Sequence, residues 1–73
     1  IALNGGNDGL DVIKKVIYKA REILKINGRL ALEIGNGQSR EVSKELKNNN
    51  FKIEQIIKDY KYNTRCFIST LLR

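Results

Sequence analysis

The chain has 73 residues, 41% hydrophobic and 30% charged, a composition that fits a folded domain and excludes a disordered tail. A domain of this size buries only about 60% of the surface its unfolded chain exposes, so a single small domain with a narrow margin of stability is all it can form. The net charge is +6, with one cysteine and no histidine, which excludes Cys/His zinc clusters and histidine-assisted nucleophiles.

The basic residues are spread over every segment without forming a basic block, which fits a solvated surface better than a dedicated phosphate-binding face. No apolar run approaches the roughly 18 residues of a membrane span, and the start lacks the layout of a signal peptide, so the cytoplasm is the expected compartment. Cys66 lies in the apolar run Cys66-Phe67-Ile68 and reads as a buried structural thiol. The sequence opens at Ile1, inside the apolar word Ile-Ala-Leu, and reads as a piece of a longer protein.

The first ten residues read as loop, since Asn4-Gly5-Gly6-Asn7-Asp8-Gly9 is glycine-rich, with Asp8 or Asp11 available to cap a helix. From Leu10 to about Ile26, apolar residues at Leu10, Ile13, Val16, Ile17, Ala20, Ile23 and Leu24 mark one face of that helix. Asn27 and Gly28 end it, as a left-handed residue after the last turn would. Arg29 to Ile34 is short and nearly continuously apolar, which predicts a strand covered on both faces. Ser39 to Lys47 carries Val42 and Leu46 four apart and predicts a shorter helix, broken by Asn48-Asn49-Asn50. Phe51 to Lys58 and Arg65 to Leu72 then read as strands, joined by a loop short enough for an antiparallel hairpin. The predicted sheet has three strands, and the first helix has no strand within the chain to cross over from.

The word Ile23-Leu24-Lys25-Ile26-Asn27-Gly28-Arg29-Leu30-Ala31-Leu32 resembles the turn before the fifth strand of class I S-adenosylmethionine-dependent methyltransferases. A closer resemblance rests on Ala2-Leu3-Asn4-Gly5-Gly6-Asn7-Asp8-Gly9-Leu10, on Leu32-Glu33-Ile34-Gly35 with Gln38, and on Lys58-Asp59-Tyr60 with Arg65. Together these words resemble the C-terminal portion of the release-factor glutamine methyltransferases, which methylate the glutamine amide in the Gly-Gly-Gln loop of translation release factors. The resemblance implies the C-terminal half of a Rossmann-like α/β fold over residues 1–73: a mixed three-stranded sheet, one parallel-type strand plus an antiparallel hairpin, with two helices.

That family's glycine-rich cofactor loop and its Asn-Pro-Pro-Tyr word have no counterpart here, and the chain contains no proline. The resemblance therefore implies no catalytic and no cofactor-binding residue within the chain, S-adenosylmethionine bound only by the full-length enzyme, and an inactive fragment. Its implied partners are the missing N-terminal half and a release factor.

A competing placement takes Leu32-Glu33-Ile34-Gly35-Asn36-Gly37 as a first strand with its cofactor loop, and Asp59 as the acid that binds a ribose. Ser39 in the third glycine position and the predicted hairpin oppose it.

On the substrate side the candidates are Glu33, Gly35, Gln38, Gly5 and Gly6. Glu33, in an apolar strand, must be solvated, hydrogen-bonded or paired, and near the carboxyl end of a parallel strand it lies where open sheets bind ligands. Gln38 reads equally as an ordinary helix-start residue, and the glycines as a simple turn. Tyr60 and Tyr62 with Lys58, Lys61 and Arg65 interleave aromatic and basic residues, which leaves a small basic RNA- or ribosome-binding module as one alternative. The wide sharing of the pre-strand word across the methyltransferases leaves a second, a methyltransferase fragment that acts on nucleic acid or another small substrate.

Overall fold

The structure, a computed structural model, describes residues 1–4 and 9–73. Its elements run β1 (Ala2–Asn4), α1 (Leu10–Ile23), β2 (Arg29–Glu33), α2 (Ser39–Asn48), β3 (Phe51–Lys58) and β4 (Thr64–Leu71). The sheet has the order β1-β2-β4-β3, with β1 parallel to β2 and β4 antiparallel to both of its neighbours. The α/β class, the two helices, the parallel-type strand and the antiparallel hairpin agree with the sequence reading.

The sheet has four strands where the sequence predicts three. Ala2, Leu3 and Asn4, expected as loop, pair in register with Ala31, Leu32 and Glu33. A strand this short shows no alternation in sequence, and what holds it is tertiary. The Ala31 amide donates to the Ile1 carbonyl at 2.7 Å, and the Ile1 nitrogen donates to the Arg29 carbonyl at 3.0 Å. Leu3 then packs against the core. β1 also supplies the strand from which α1 crosses over to β2, so the crossover expected to lack a start is complete within the chain.

Both helices pack on one face of the sheet. Ile13, Ile17 and Ala20 of α1 and Val42 and Leu46 of α2 join Leu30, Leu32, Phe51, Phe67 and Leu71 in one buried cluster. The opposite face of β2 is not covered by this chain: Leu30 and Leu32 are buried, whereas Arg29 and Glu33 are exposed and Ala31 is half-buried. The expected cover on both faces is thus corrected to cover on one. Among the described residues no helix is long and apolar enough to cross a membrane.

The ends of the elements are set by local chemistry. α1 stops at Ile23, earlier than the periodicity suggests, because Leu24 is extended and turns its side chain into the core. Lys25 to Gly28 form a turn closed by a 2.8 Å bond from the Gly28 amide to the Lys25 carbonyl, with Asn27 left-handed at φ 70°. A Cβ on Gly28 would sit 2.8 Å from that carbonyl, so only glycine fits. The helix starts at Gly9 as N-cap, with no side-chain cap, and Asp11 lies in the first turn where its charge suits the helix dipole. α2 ends on Asn49, whose side-chain amide donates to the Glu45 carbonyl at 2.8 Å, with left-handed Asn50 next in the chain.

Ser69 is fully buried on the helix-facing side of the central strand, and its hydroxyl has no hydrogen-bond partner among the described residues. A buried hydroxyl in that state costs stability. Ser69→Ala should therefore leave stability unchanged or raise it by about 1 kcal/mol. Leu46→Ala, at a fully buried position, should lose about 2–5 kcal/mol. Urea unfolding of the variants measures both.

Candidate functional site at the carboxyl end of the sheet

β1 and β2 point the same way, and their last residues, Asn4 and Glu33, stand side by side. Glu33 also faces Cys66 near the start of β4, and the next amide, Ile34, donates to the Arg65 carbonyl at 3.0 Å. The hairpin loop between β3 and β4 therefore lies at the same end as the loop after β2. Open α/β sheets bind ligands at this end.

The loop after β2 is a tight turn. The Gln38 amide approaches the Gly35 carbonyl at 3.4 Å, and Gly37 at φ 78° occupies the position that a type II turn reserves for glycine. A 2.7 Å hydrogen bond from the Gly35 amide to Gln38 Oε1 clasps the turn from inside. Gln38 is also the N-cap residue of α2, and its carbonyl accepts from the Val42 amide. It is both a helix-start residue and the fastener of the loop.

Glu33 is solvated on the open face of the sheet, not buried among apolar neighbours. With Ala2, Leu3, Ala31 and Cys66 it lines a shallow hollow of about 170 Å³. Burial first, and the Glu33 carboxylate second, push the Cys66 thiol above its ordinary value. A thiol held protonated in this way is a poor nucleophile. The expected buried position of Cys66 is corrected to a half-buried one on the open face of the sheet, outside the core. Of the predicted site residues, the structure brings together Glu33, Gly35 and Gln38. Gly5 and Gly6 lie outside the described residues.

Asp59 organises the hairpin tip. Its Oδ1 accepts from the amides of Lys61 at 2.8 Å and Asn63 at 3.0 Å, and its Oδ2 accepts from Arg65 Nε at 2.9 Å. The Asn63 amide, with smaller effects from the Lys61 amide and Arg65, holds the carboxyl below its ordinary value against the opposing effect of desolvation. With both oxygens committed, Asp59 is not free to bind a ribose. The Gly35 amide is likewise engaged, by Gln38 Oε1. Sequence reasoning marks Asp59 and Arg65 without recognising the clamp; their spacing across a predicted hairpin is the available signal.

A parallel β-α-β crossover, extended by an antiparallel hairpin strand that inserts beside β2, is the architecture of a segment of a Rossmann-like methyltransferase. Comparison with curated proteins narrows this. Over 68 residues the chain is 47% identical to the release factor glutamine methyltransferase of Fusobacterium nucleatum, a match that covers 93% of this chain and 19% of that protein. It is 40% identical to the release factor glutamine methyltransferase of Clostridium acetobutylicum, over 82% of this chain and 21% of the relative. Identity to the ribosomal protein uL3 glutamine methyltransferase of Francisella tularensis is 45%, over 52% of this chain and 12% of the relative. No family model matches the chain, and no solved structure matches it either. Nearly the whole chain is thus similar to part of the release factor glutamine methyltransferases, and it spans 19–21% of the length of the first two of these relatives.

The depressed Asp59 carboxyl fixes the sign of a pH dependence. A lowered folded-state value means that the clamp stabilises the tip above the ordinary aspartate range and is lost as pH falls through the folded value. In an NMR acid titration the Lys61 and Asn63 amides should shift together with a midpoint below that of an ordinary aspartate. Asp59→Asn should abolish the transition.

Proposed function

We propose that this chain forms the C-terminal part, residues 1–73, of the catalytic domain of an S-adenosylmethionine-dependent enzyme that methylates the glutamine side-chain amide of a translation release factor. The observation that carries the reading is the similarity over nearly the whole chain to release factor glutamine methyltransferases, 47% identity across 68 residues.

The geometry supports a walling role. The Gly35–Gln38 turn and the Asp59-clamped hairpin tip stand at the carboxyl end of the parallel strands, where the cleft of such a sheet opens. On this reading Glu33 and the Gln38-fastened loop face the substrate. Methylation of an amide nitrogen depends on holding and polarising a weak nucleophile. This reading places the groups that do so, with the cofactor site, in the remainder of the enzyme. The remainder is the chain's first partner and the release factor its second.

The test uses the full-length parent enzyme, purified release factor and isotopically labelled S-adenosylmethionine. One methyl group should appear on the glutamine of the Gly-Gly-Gln loop, and deletion of residues 1–73 should abolish the transfer. The isolated 73-residue chain should give no saturable calorimetric binding of S-adenosylmethionine. Methylation elsewhere, or saturable binding by the isolated chain, would contradict the reading.

A further inference from the structure

The hairpin tip carries an unrelieved cost. Asp59 and Asn63 close a three-residue loop, with the Asp59 amide donating to the Asn63 carbonyl and the Tyr62 amide to the Asp59 carbonyl, both at 2.9 Å. This pattern places its last loop residue in the left-handed region, normally the place of glycine. Tyr62 occupies it at φ 65°. Tyr62 is 83% exposed, so its ring does not recover the cost by packing within the chain, and Tyr60, 89% exposed, has the Lys61 ammonium 5.8 Å from its ring centroid. Strain retained at an exposed aromatic is an observation that points to function.

Next to the tip, a groove runs along α2 and the outer edge strand β3. Two adjoining hollows, of about 340 and 540 Å³, share Ser43 and Ile56. Arg40 and Lys58 line the first, nearer the tip, and Lys47 and Lys52 line the second. Neither lining includes a carboxylate, and the floor is aliphatic, with Ile53, Ile56 and Leu72. β3 is the sheet edge opposite β1, so the groove stays open when further strands add at β1.

We infer that this groove, together with Tyr60 and Tyr62, is a docking surface for an acidic segment of the protein substrate. Four cations with no opposing acid fit a run of carboxylates, and the aliphatic floor takes interleaved apolar side chains. Rigid exposed tyrosines are the side chains that most often anchor protein interfaces. Single-stranded nucleic acid could stack on Tyr60 and Tyr62 at the tip, but along the groove the lining aromatics Phe51 and Phe67 are buried and the exposed floor is aliphatic, which favours a peptide. The inference rests on the proposed methyltransferase function, and names how that enzyme would hold its protein substrate away from the reacting amide.

The test compares full-length wild-type enzyme with Tyr62→Gly, with the double variant Lys47→Glu/Lys52→Glu, and with Lys14→Glu/Lys15→Glu on exposed α1 positions as control. Tyr62→Gly should melt a few degrees higher, since glycine relieves the backbone, and yet raise KM for release factor about fivefold with kcat unchanged. The Lys47/Lys52 reversal should raise KM about tenfold or more, and the control should do neither. A fluorescent peptide of alternating glutamate and leucine should bind wild type and lose affinity with the same variants. That titration needs no turnover, so it decides the docking surface even if wild type fails to methylate release factor, a failure that would count against the functional reading alone. Unchanged KM and peptide affinity in Tyr62→Gly and in the Lys47/Lys52 reversal would overturn the inference. Displacement of the peptide by oligouridylate at lower concentration than by unlabelled peptide would overturn it in favour of nucleic acid.

Discussion

The insertion of β4 between β2 and β3 is the constraint on which the remaining structure depends. β4 is the last strand in the chain, yet it pairs on both sides, with β2 from Arg29↔Thr70 to Glu33↔Cys66 and with β3 from Phe51↔Leu71 to Lys58↔Thr64. Its far end is stitched by three hydrogen bonds to two earlier turns. The Asn27 amide donates to the Leu71 carbonyl at 2.7 Å, the Leu71 amide to the Gly28 carbonyl at 2.9 Å, and the Leu72 amide to the Asn50 carbonyl at 2.9 Å. The left-handed asparagines that end the two helical regions, Asn27 and Asn50, are thus both bound by the strand that arrives last. Buried Phe67 and Leu71 carry the core across from α1 to the β3 edge. Without β4, β2 and β3 have no common partner, and the two loops at the carboxyl end have no reason to meet.

This placement sets the division of labour within the piece. One end of the sheet carries the Gln38 clasp and the Asp59 clamp, two small hydrogen-bonded devices that stiffen loops a few residues long. Rigid loops on a scaffold are where recognition is built. One lateral edge, at β1, is short and flanked by an apolar hollow lined by Ile1, Leu3, Val16, Ala20 and Ile23. The other, at β3, is basic.

Much of this fold is legible in the sequence, for identifiable reasons. α1 announces itself because Ile13, Ile17 and Ala20 repeat at helical spacing over several turns, and the hairpin because two apolar runs flank a polar tip. β1 is illegible because three residues carry no period, and their conformation is set by Ala31 and Arg29 nearly thirty positions away. The apolar run of β2 suggests cover on both faces, but the short Ala31 and the ends Arg29 and Glu33 leave one face open. Gln38 can be placed at a helix start from sequence, whereas its grip on the Gly35 amide depends on a turn that only the folded chain reveals. Tyr62 is conspicuous in sequence as an aromatic beside lysines, and its strained backbone is not, since nothing in sequence marks tyrosine as left-handed.

The register of β4 against β2 can be tested by one chemical measurement. The bond from the Ile34 amide to the Arg65 carbonyl makes the adjacent Glu33–Cys66 pair a non-hydrogen-bonded one, whose Cα atoms in such a ladder lie about 4.5 Å apart, within disulfide range. Cys66 is the only cysteine of the chain, so Glu33→Cys creates a single possible intramolecular pair. Mild oxidation and then mass spectrometry should show that variant losing two hydrogens as a monomer, with both thiols blocked. Free thiols, or a disulfide formed only between chains, would contradict the placement of β4 and with it the meeting of the two loops at the carboxyl end.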